Sequence, residues 1–186
     1  MRIISGIARG RQLATFPGQD IRPTPDRVRE ALFSLLTSRF GSLSQLKVLE
    51  LFAGSGAQAL EAISRGAQSA ILVDSGKIAA ATICENIKRC HFEQMTEFIR
   101  QDVYRALPGL VDSGPFDLIL LDPPYRENHI PQVIEKIESL NLLAKNGILC
   151  AESAKNEEFN DLGSMTLLRS KVYGTTRIHL YGQLKD

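Results

Sequence analysis

The sequence predicts a doubly wound α/β domain, and three observations carry that prediction. From Lys47 onward short apolar runs alternate with helical stretches, a glycine-rich turn sits where the first run gives way to a helix, and acids follow the later runs. Strands that read as near-continuous hydrophobes and are separated by helices belong to a parallel sheet covered on both faces.

The elements follow in order. "RIISGIARGRQLAT" is two short, weakly apolar segments joined through Gly6 to Gly10, expected to form a hairpin outside the main core. "TPDRVREALFSLL" opens a helix, with Thr24 as cap, Pro25 at the first helical position and Asp26 in the first turn. Val28, Leu32, Leu35 and Leu36 form its apolar stripe, and Arg27, Arg29 and Glu30 are expected off it. "FGSLSQL", residues 40–46, separates this extension (1–40) from the main domain (41–186). Then come "KVLELF", "AQALEAISR", "SAILV", "IAAATICENIKRC", "TEFIR", a turn-rich stretch, "FDLILL", a helix after Asn128 and "GILCAES". The tail breaks the alternation: "MTLLRSKVYG" and "TTRIHLYG" meet across a tight link and should finish the sheet as an antiparallel hairpin.

Composition narrows the class. A chain of 186 residues with 44% hydrophobic content suits one core. The net charge of +1 does not advertise a polyanionic partner, but its distribution is uneven. Within the first thirty residues six arginines face three acids, and arginine's planar fork suits phosphates and stacks on bases. Cys84, Cys90 and Cys150 show no C-x-x-C spacing, which speaks against a disulfide framework or a zinc site and for a reducing compartment. The amino end carries charges where a signal peptide needs an apolar stretch, and no long uncharged run suits a membrane helix. The expectation is a soluble, cytoplasmic monomer without a metal. The three histidines, His91, His129 and His179, have no triad or metal spacing.

"ELFAGSGAQALEA" places glycines at a strand-to-helix junction. Gly54 and Gly56 let the backbone turn tightly and approach a ligand, while the opening helix is expected to offer free amides. The turn also fits G-x-G-x-x-A, a nominal dinucleotide fingerprint that leaves a nicotinamide-dependent oxidoreductase open. Asp74 stands eighteen positions after Gly56, where a carboxylate can accept hydrogen bonds from ribose hydroxyls. Asp102 follows "TEFIR" and Gln101, Asp122 follows "FDLILL", and Glu50 lies in the first strand. In an open parallel sheet these carboxyl ends share the edge where ligands bind.

"ELFAGSGA", "LVD", "QDV" and "LDPPY", in this order, resemble the motifs of class I S-adenosylmethionine-dependent methyltransferases. With "MRIISGIARGR" and "RPTPDRVREALFSLL" ahead of them, nearly the whole chain is similar to the bacterial RsmD family, which methylates a guanine exocyclic N2 of 16S ribosomal RNA. The resemblance implies a Rossmann-like, mostly parallel seven-stranded sheet, S-adenosylmethionine as cofactor, and 16S ribosomal RNA or the assembling small ribosomal subunit as partner. It assigns Glu50, Phe52, Ala53, Gly54 and Gly56 to the methionine end of the cofactor, Asp74 to the ribose, and Asp102 with Val103 to the adenine. Glu50 stands where the family more often has Asp, and Gly76 where a bulkier residue is expected. Arg22, Thr24 and Arg27 are expected beside the cofactor cleft, with Arg9, Arg11, Arg22 and Arg29 as RNA contacts.

"LDPPY" then acquires a chemical reason. An exocyclic amine on guanine is a poor nucleophile because its lone pair is delocalised, and acceptors on its two hydrogens favour the localised form in the transition state. Asp122 supplies one acceptor and the carbonyl of Pro123 the second. Pro124 keeps residue 123 extended, and Tyr125 can lie against a base turned out of its stack. The motif identifies an sp2-attached nitrogen only, so adenine N6 and a protein glutamine amide remain alternatives, as does a non-catalytic RNA-binding module.

Overall fold

The computed structural model describes residues 1–16, 26–124 and 129–183. Among the described residues there are thirteen named elements, with strands and helical segments alternating until the three final strands. Helix α1 (Asp26–Phe40) precedes β1 (Lys47–Leu51), α2 (Ala57–Ser64), β2 (Ser69–Val73), α3 (Lys77–Cys90) and β3 (Thr96–Ile99). After these come α4 (Val103–Ala106), a 3-10 turn (Leu107–Leu110), β4 (Phe116–Leu121), α5 (His129–Ser139), β5 (Leu143–Ala154), β6 (Met165–Tyr173) and β7 (Thr176–Gln183). The turn-rich stretch is thus a short helix running into a 3-10 turn. The proposed cap Thr24 and the first-turn Pro25 lie outside the described residues.

The seven strands form one sheet in the order β3-β2-β1-β4-β5-β7-β6. Strands β1 to β5 are parallel to one another, whereas β7 is antiparallel to both β5 and β6, so the tail is the expected hairpin. Two apolar clusters cover the two faces. One joins α1, α2 and α3 to Val48, Leu72, Leu120 and Cys150; the other joins α4 and α5 to Leu51, Val73, Leu121 and Ala151. From β1 the chain winds out to β2 and β3 and returns to β4 on the other side, so the topological switch point lies between β1 and β4. Ligands bind in that crevice, beyond the carboxyl ends of the strands.

The amino-terminal hairpin departs from expectation. Ile3, Ala8 and Leu13 are buried in the same cluster as α1 and α2, so the hairpin is part of the core on that face rather than an appendage. Its tip is pinned to the end of α2: the Ile7 amide donates to the Ser64 carbonyl at 2.8 Å and the Ala8 amide to Ser64 Oγ at 3.0 Å. Gly6, at φ 84°, comes so close that a methyl group there would stand 1.7 Å from the Ser64 carbonyl oxygen. Only glycine fits that approach.

Arg29 requires a correction. Its side chain is fully buried, so it is not available as a phosphate contact. Arg29, Leu32, Phe33 and Leu36 occupy i, i+3, i+4 and i+7 on α1, which places the arginine at the start of the buried stripe. Its guanidinium reaches Asp26 Oδ1 at 3.1 Å and the Arg2 carbonyl, and lies 3.9 Å from Glu61 Oε2.

Candidate active site

The site is built from the ends of four adjacent strands. Glu50 of β1 is in register with Leu72 of β2 and Leu120 of β4, and Leu120 with Cys150 of β5. Two residues farther along each neighbouring strand come Asp74, Asp122 and Glu152. Strand side chains alternate faces, so all four acids belong to the α1–α3 face. The backbone keeps the ladder up to this edge, since the Asp74 amide donates to Ile99 and the Asp122 amide to Leu51. Glu152 joins the row only through the register of β5, a relation that no local motif announces.

The glycine turn, residues 53–56, is held inside this row. Ala53 is buried and its amide donates to the Val73 carbonyl. The Gly54 amide donates to Asp74 Oδ2 at 2.8 Å, and the Gly76 amide donates to Oδ1 of the same carboxylate at 2.8 Å. Gly76 therefore stands where a close backbone approach anchors Asp74. Gly56 has φ 74°, and a methyl group on it would meet Leu72 Cδ2 at 2.7 Å, so the entry into α2 is closed to other residues. Phe52 adopts φ 56°, a left-handed conformation uncommon outside glycine, and its ring tilts against His129 with centroids 5.3 Å apart. His129 is also bonded to the Tyr104 hydroxyl at 2.7 Å, which assembles an aromatic cluster where the sequence offered only a lone histidine.

Glu50 is buried and accepts a hydrogen bond from the Ala59 amide at 3.0 Å, so its carboxyl group occupies the amino end of α2. The amides expected to be free for a ligand are therefore partly engaged from within the chain. Burial pushes the Glu50 pKa up to about 8; hydrogen bonds from the Ala59 and Gln58 amides lower it, and the charges of Asp122 and Asp74 raise it. On the far flank Gln58 Nε2 donates to Glu152 Oε1 at 2.6 Å, tying α2 to β5.

Other expected site residues are placed as follows. Asp122 is half-buried at the end of β4, Pro123 is buried and Pro124 exposed. Asp102 caps α4, accepting from the Arg105 amide at 3.2 Å, and Val103 behind it is buried. Arg27 is exposed at the start of α1. Arg9 is exposed and lines a polar groove of about 640 Å³ between the hairpin and α1, together with Arg2, Asp26, Glu30 and Arg65. Arg11 is exposed and donates to the Arg89 carbonyl. Arg22, Thr24 and Tyr125 lie outside the described residues. Among the described residues, no group of three or more His, Cys, Asp or Glu side chains is placed to hold a metal ion.

The sheet order, with a glycine turn and a row of acids at the switch point, defines a Rossmann-like α/β protein of the methyltransferase class. A family model described as Conserved hypothetical protein 95 matches residues 1–182, and the chain belongs to that family. A relative named Ribosomal RNA small subunit methyltransferase D, from Haemophilus influenzae, is 33% identical over 183 residues, covering 97% of this chain and 93% of its own. Among solved structures, a hypothetical protein of Thermus thermophilus superposes with a TM-score of 0.84 at 28% identity, covering 99% of both chains. The structure of SMU.776 complexed with SAH shares the fold at 19% identity and a TM-score of 0.65, covering 83% of this chain and 48% of that one.

Proposed function

We propose that this protein transfers a methyl group from S-adenosylmethionine to the exocyclic N2 of a guanine in 16S ribosomal RNA. The observation that carries the reading is the position of Asp122: it heads a D-P-P-Y sequence at the end of β4, across the switch point from the glycine turn after β1. The reading fits the family membership and the name of the Haemophilus relative.

The donor set fits S-adenosylmethionine. Asp74 and Asp122 place carboxylates around the turn, and buried Glu50, which keeps its proton near neutral pH, already occupies amides at the amino end of α2. Such a site favours a cationic ligand over the pyrophosphate of a dinucleotide. Bound there, S-adenosylmethionine supplies an electrophilic methyl group on a sulfonium. Asp74, which already orders the turn through Gly54, has acceptor capacity left for ribose hydroxyls. Glu50 shapes the turn from beneath by fixing the start of α2. Phe52, Ala53, Gly54 and Gly56 frame the methionine end, and Asp102 and Val103 the adenine.

Asp122 and the Pro123 carbonyl accept hydrogen bonds from the guanine amine, localising its lone pair as positive charge develops on nitrogen. Pro124 holds that segment extended, and Tyr125 stacks on the base. Arg9, Arg11 and Arg22 contact RNA, with Thr24 and Arg27 beside the cofactor cleft. The protein acts as a cytoplasmic monomer on 16S ribosomal RNA or the assembling small subunit.

Two measurements test this reading. Calorimetry with S-adenosylmethionine and NAD side by side should give binding of the first alone; binding of NAD alone would reject the methyl donor. Asp122→Ala should lower turnover on small-subunit RNA by roughly 10²- to 10³-fold. RNA affinity should stay within roughly twofold of the parent, since Asp122 contacts a base edge and not the backbone. Unchanged turnover in this variant would show that Asp122 is not a catalytic residue.

A further inference from the structure

Asn86, in the middle of α3, is a buried side chain that the proposed chemistry does not use. Its Oδ1 accepts from the Ala14 amide at 2.6 Å, and its Nδ2 donates to the Ala14 carbonyl at 3.1 Å and the Ser55 carbonyl at 2.9 Å. One amide thus satisfies both backbone groups of a residue in the amino-terminal arm and, at the same time, a carbonyl inside the glycine turn. A side-chain amide has one acceptor and two donor hydrogens, and here all three are engaged. Two residues beyond Ala14, the ring of half-buried Phe16 lies beside the turn: a methyl group on Gly54 would stand 3.8 Å from Phe16 Cζ and 3.9 Å from Cε2. The same turn is also held by Asp74, which accepts from the Gly54 amide.

We infer that Phe16 forms a wall of the methyl-donor pocket and that Asn86 is a positioning residue, clamping the arm to the glycine turn so that this wall is in place. This rests on the proposed use of the turn for S-adenosylmethionine and extends it to two residues outside the methyltransferase motifs. The arm continues the hairpin that carries Arg9 and Arg11, so the clamp also joins the RNA-facing hairpin to the cofactor turn. An aromatic ring beside a cationic ligand excludes water and attracts the charge through its face. Asparagine is required at position 86 because aspartate, although it can accept from the Ala14 amide, cannot donate to either carbonyl and would leave them unsatisfied.

The test is a double-mutant cycle on the full chain, with S-adenosylmethionine affinity measured by calorimetry for the parent, Phe16→Ala, Asn86→Asp and the double variant. Phe16→Ala should weaken binding by roughly three- to thirtyfold, the range of a cation–ring contact. Asn86→Asp should weaken it comparably, and in the Phe16→Ala background it should add no more than roughly twofold, because both changes remove the same wall. A structural role for Asn86 would lower the melting temperature without this dependence on residue 16. Parent-like affinity in Phe16→Ala, or additive losses in the double variant, would overturn the inference while leaving the proposed function standing. A parent chain that binds no S-adenosylmethionine would overturn the proposed function and this inference with it.

Discussion

Glu50 brings a carboxyl group into the sheet interior, and its titration should be visible in the stability of the protein. Its folded pKa is raised to about 8, so between its unfolded value near 4.5 and pH 8 the folded state holds a proton that the unfolded state has released. Stability from this group is complete below pH 4.5 and is lost as pH rises through 8. Buried His179 works in the opposite sense: burial, with the charge of Arg177, lowers its pKa from 6.5 to about 4, and stability falls as pH drops from 6.5 toward 4. The two oppose each other below pH 6.5, and the Glu50 effect dominates above it. Denaturant titrations should show a loss on the order of 2 kcal/mol from pH 6.5 to 8. Glu50→Gln, which can still accept from the Ala59 amide, should flatten that slope; an equal slope in this variant would assign the effect elsewhere.

At the scale of elements, a buried polar network holds the hairpin and α1 against α2. Glu61 is buried and accepts from the Ile4 and Ser5 amides at 2.7 and 3.0 Å and from Arg65 Nε at 2.7 Å, with Arg29 Nε 3.9 Å away. Glu61→Ala would remove the carboxylate that these groups share and weaken the charge balance of the buried Arg29 guanidinium, a loss of about 3–5 kcal/mol in unfolding measurements. Arg29→Met should be much milder, because Glu61 keeps Arg65 and both amides while the methionine fills the stripe. The reverse order would show that Arg29, not Glu61, anchors the network. The stripe expected on α1, Val28, Leu32, Leu35 and Leu36, left position 29 outside; the buried face instead runs through Arg29, Leu32, Phe33 and Leu36, where the charged residue type pointed outward. Its compensating partner sits on another helix, 32 positions along the chain, where no spacing rule reaches.

At the scale of the molecule, the parallel sheet and its final hairpin were legible because the local signals agreed: apolar runs of strand length, helices between them, and turn residues at the junctions. The acids at the ends of β2 and β4 were legible for the same reason, since a single strand boundary locates each one. The approach of Glu152 to the row of acids, and of Asn86 and Phe16 to the glycine turn, was not, because it arises only from the packing of distant elements. The packing of the hairpin was also hidden: its weak apolar content did not reveal that Gly6 would allow it to lie against Ser64. In the proposed reaction D-P-P-Y accounts for the kind of nitrogen methylated, whereas the guanine assignment draws on the amino-terminal sequence and the family.

The most direct measurement is nucleoside analysis of small-subunit RNA, lacking this methylation, after incubation with the purified protein and methyl-labelled S-adenosylmethionine. The label should appear in N2-methylguanosine at a single position and disappear with Asp122→Ala. Label in N6-methyladenosine or on a protein glutamine would keep the chemistry of the sheet edge but contradict the guanine assignment. No label, in RNA or in subunits that the protein binds, would contradict the reading of Asp122 and the glycine turn as a methyl-transfer site.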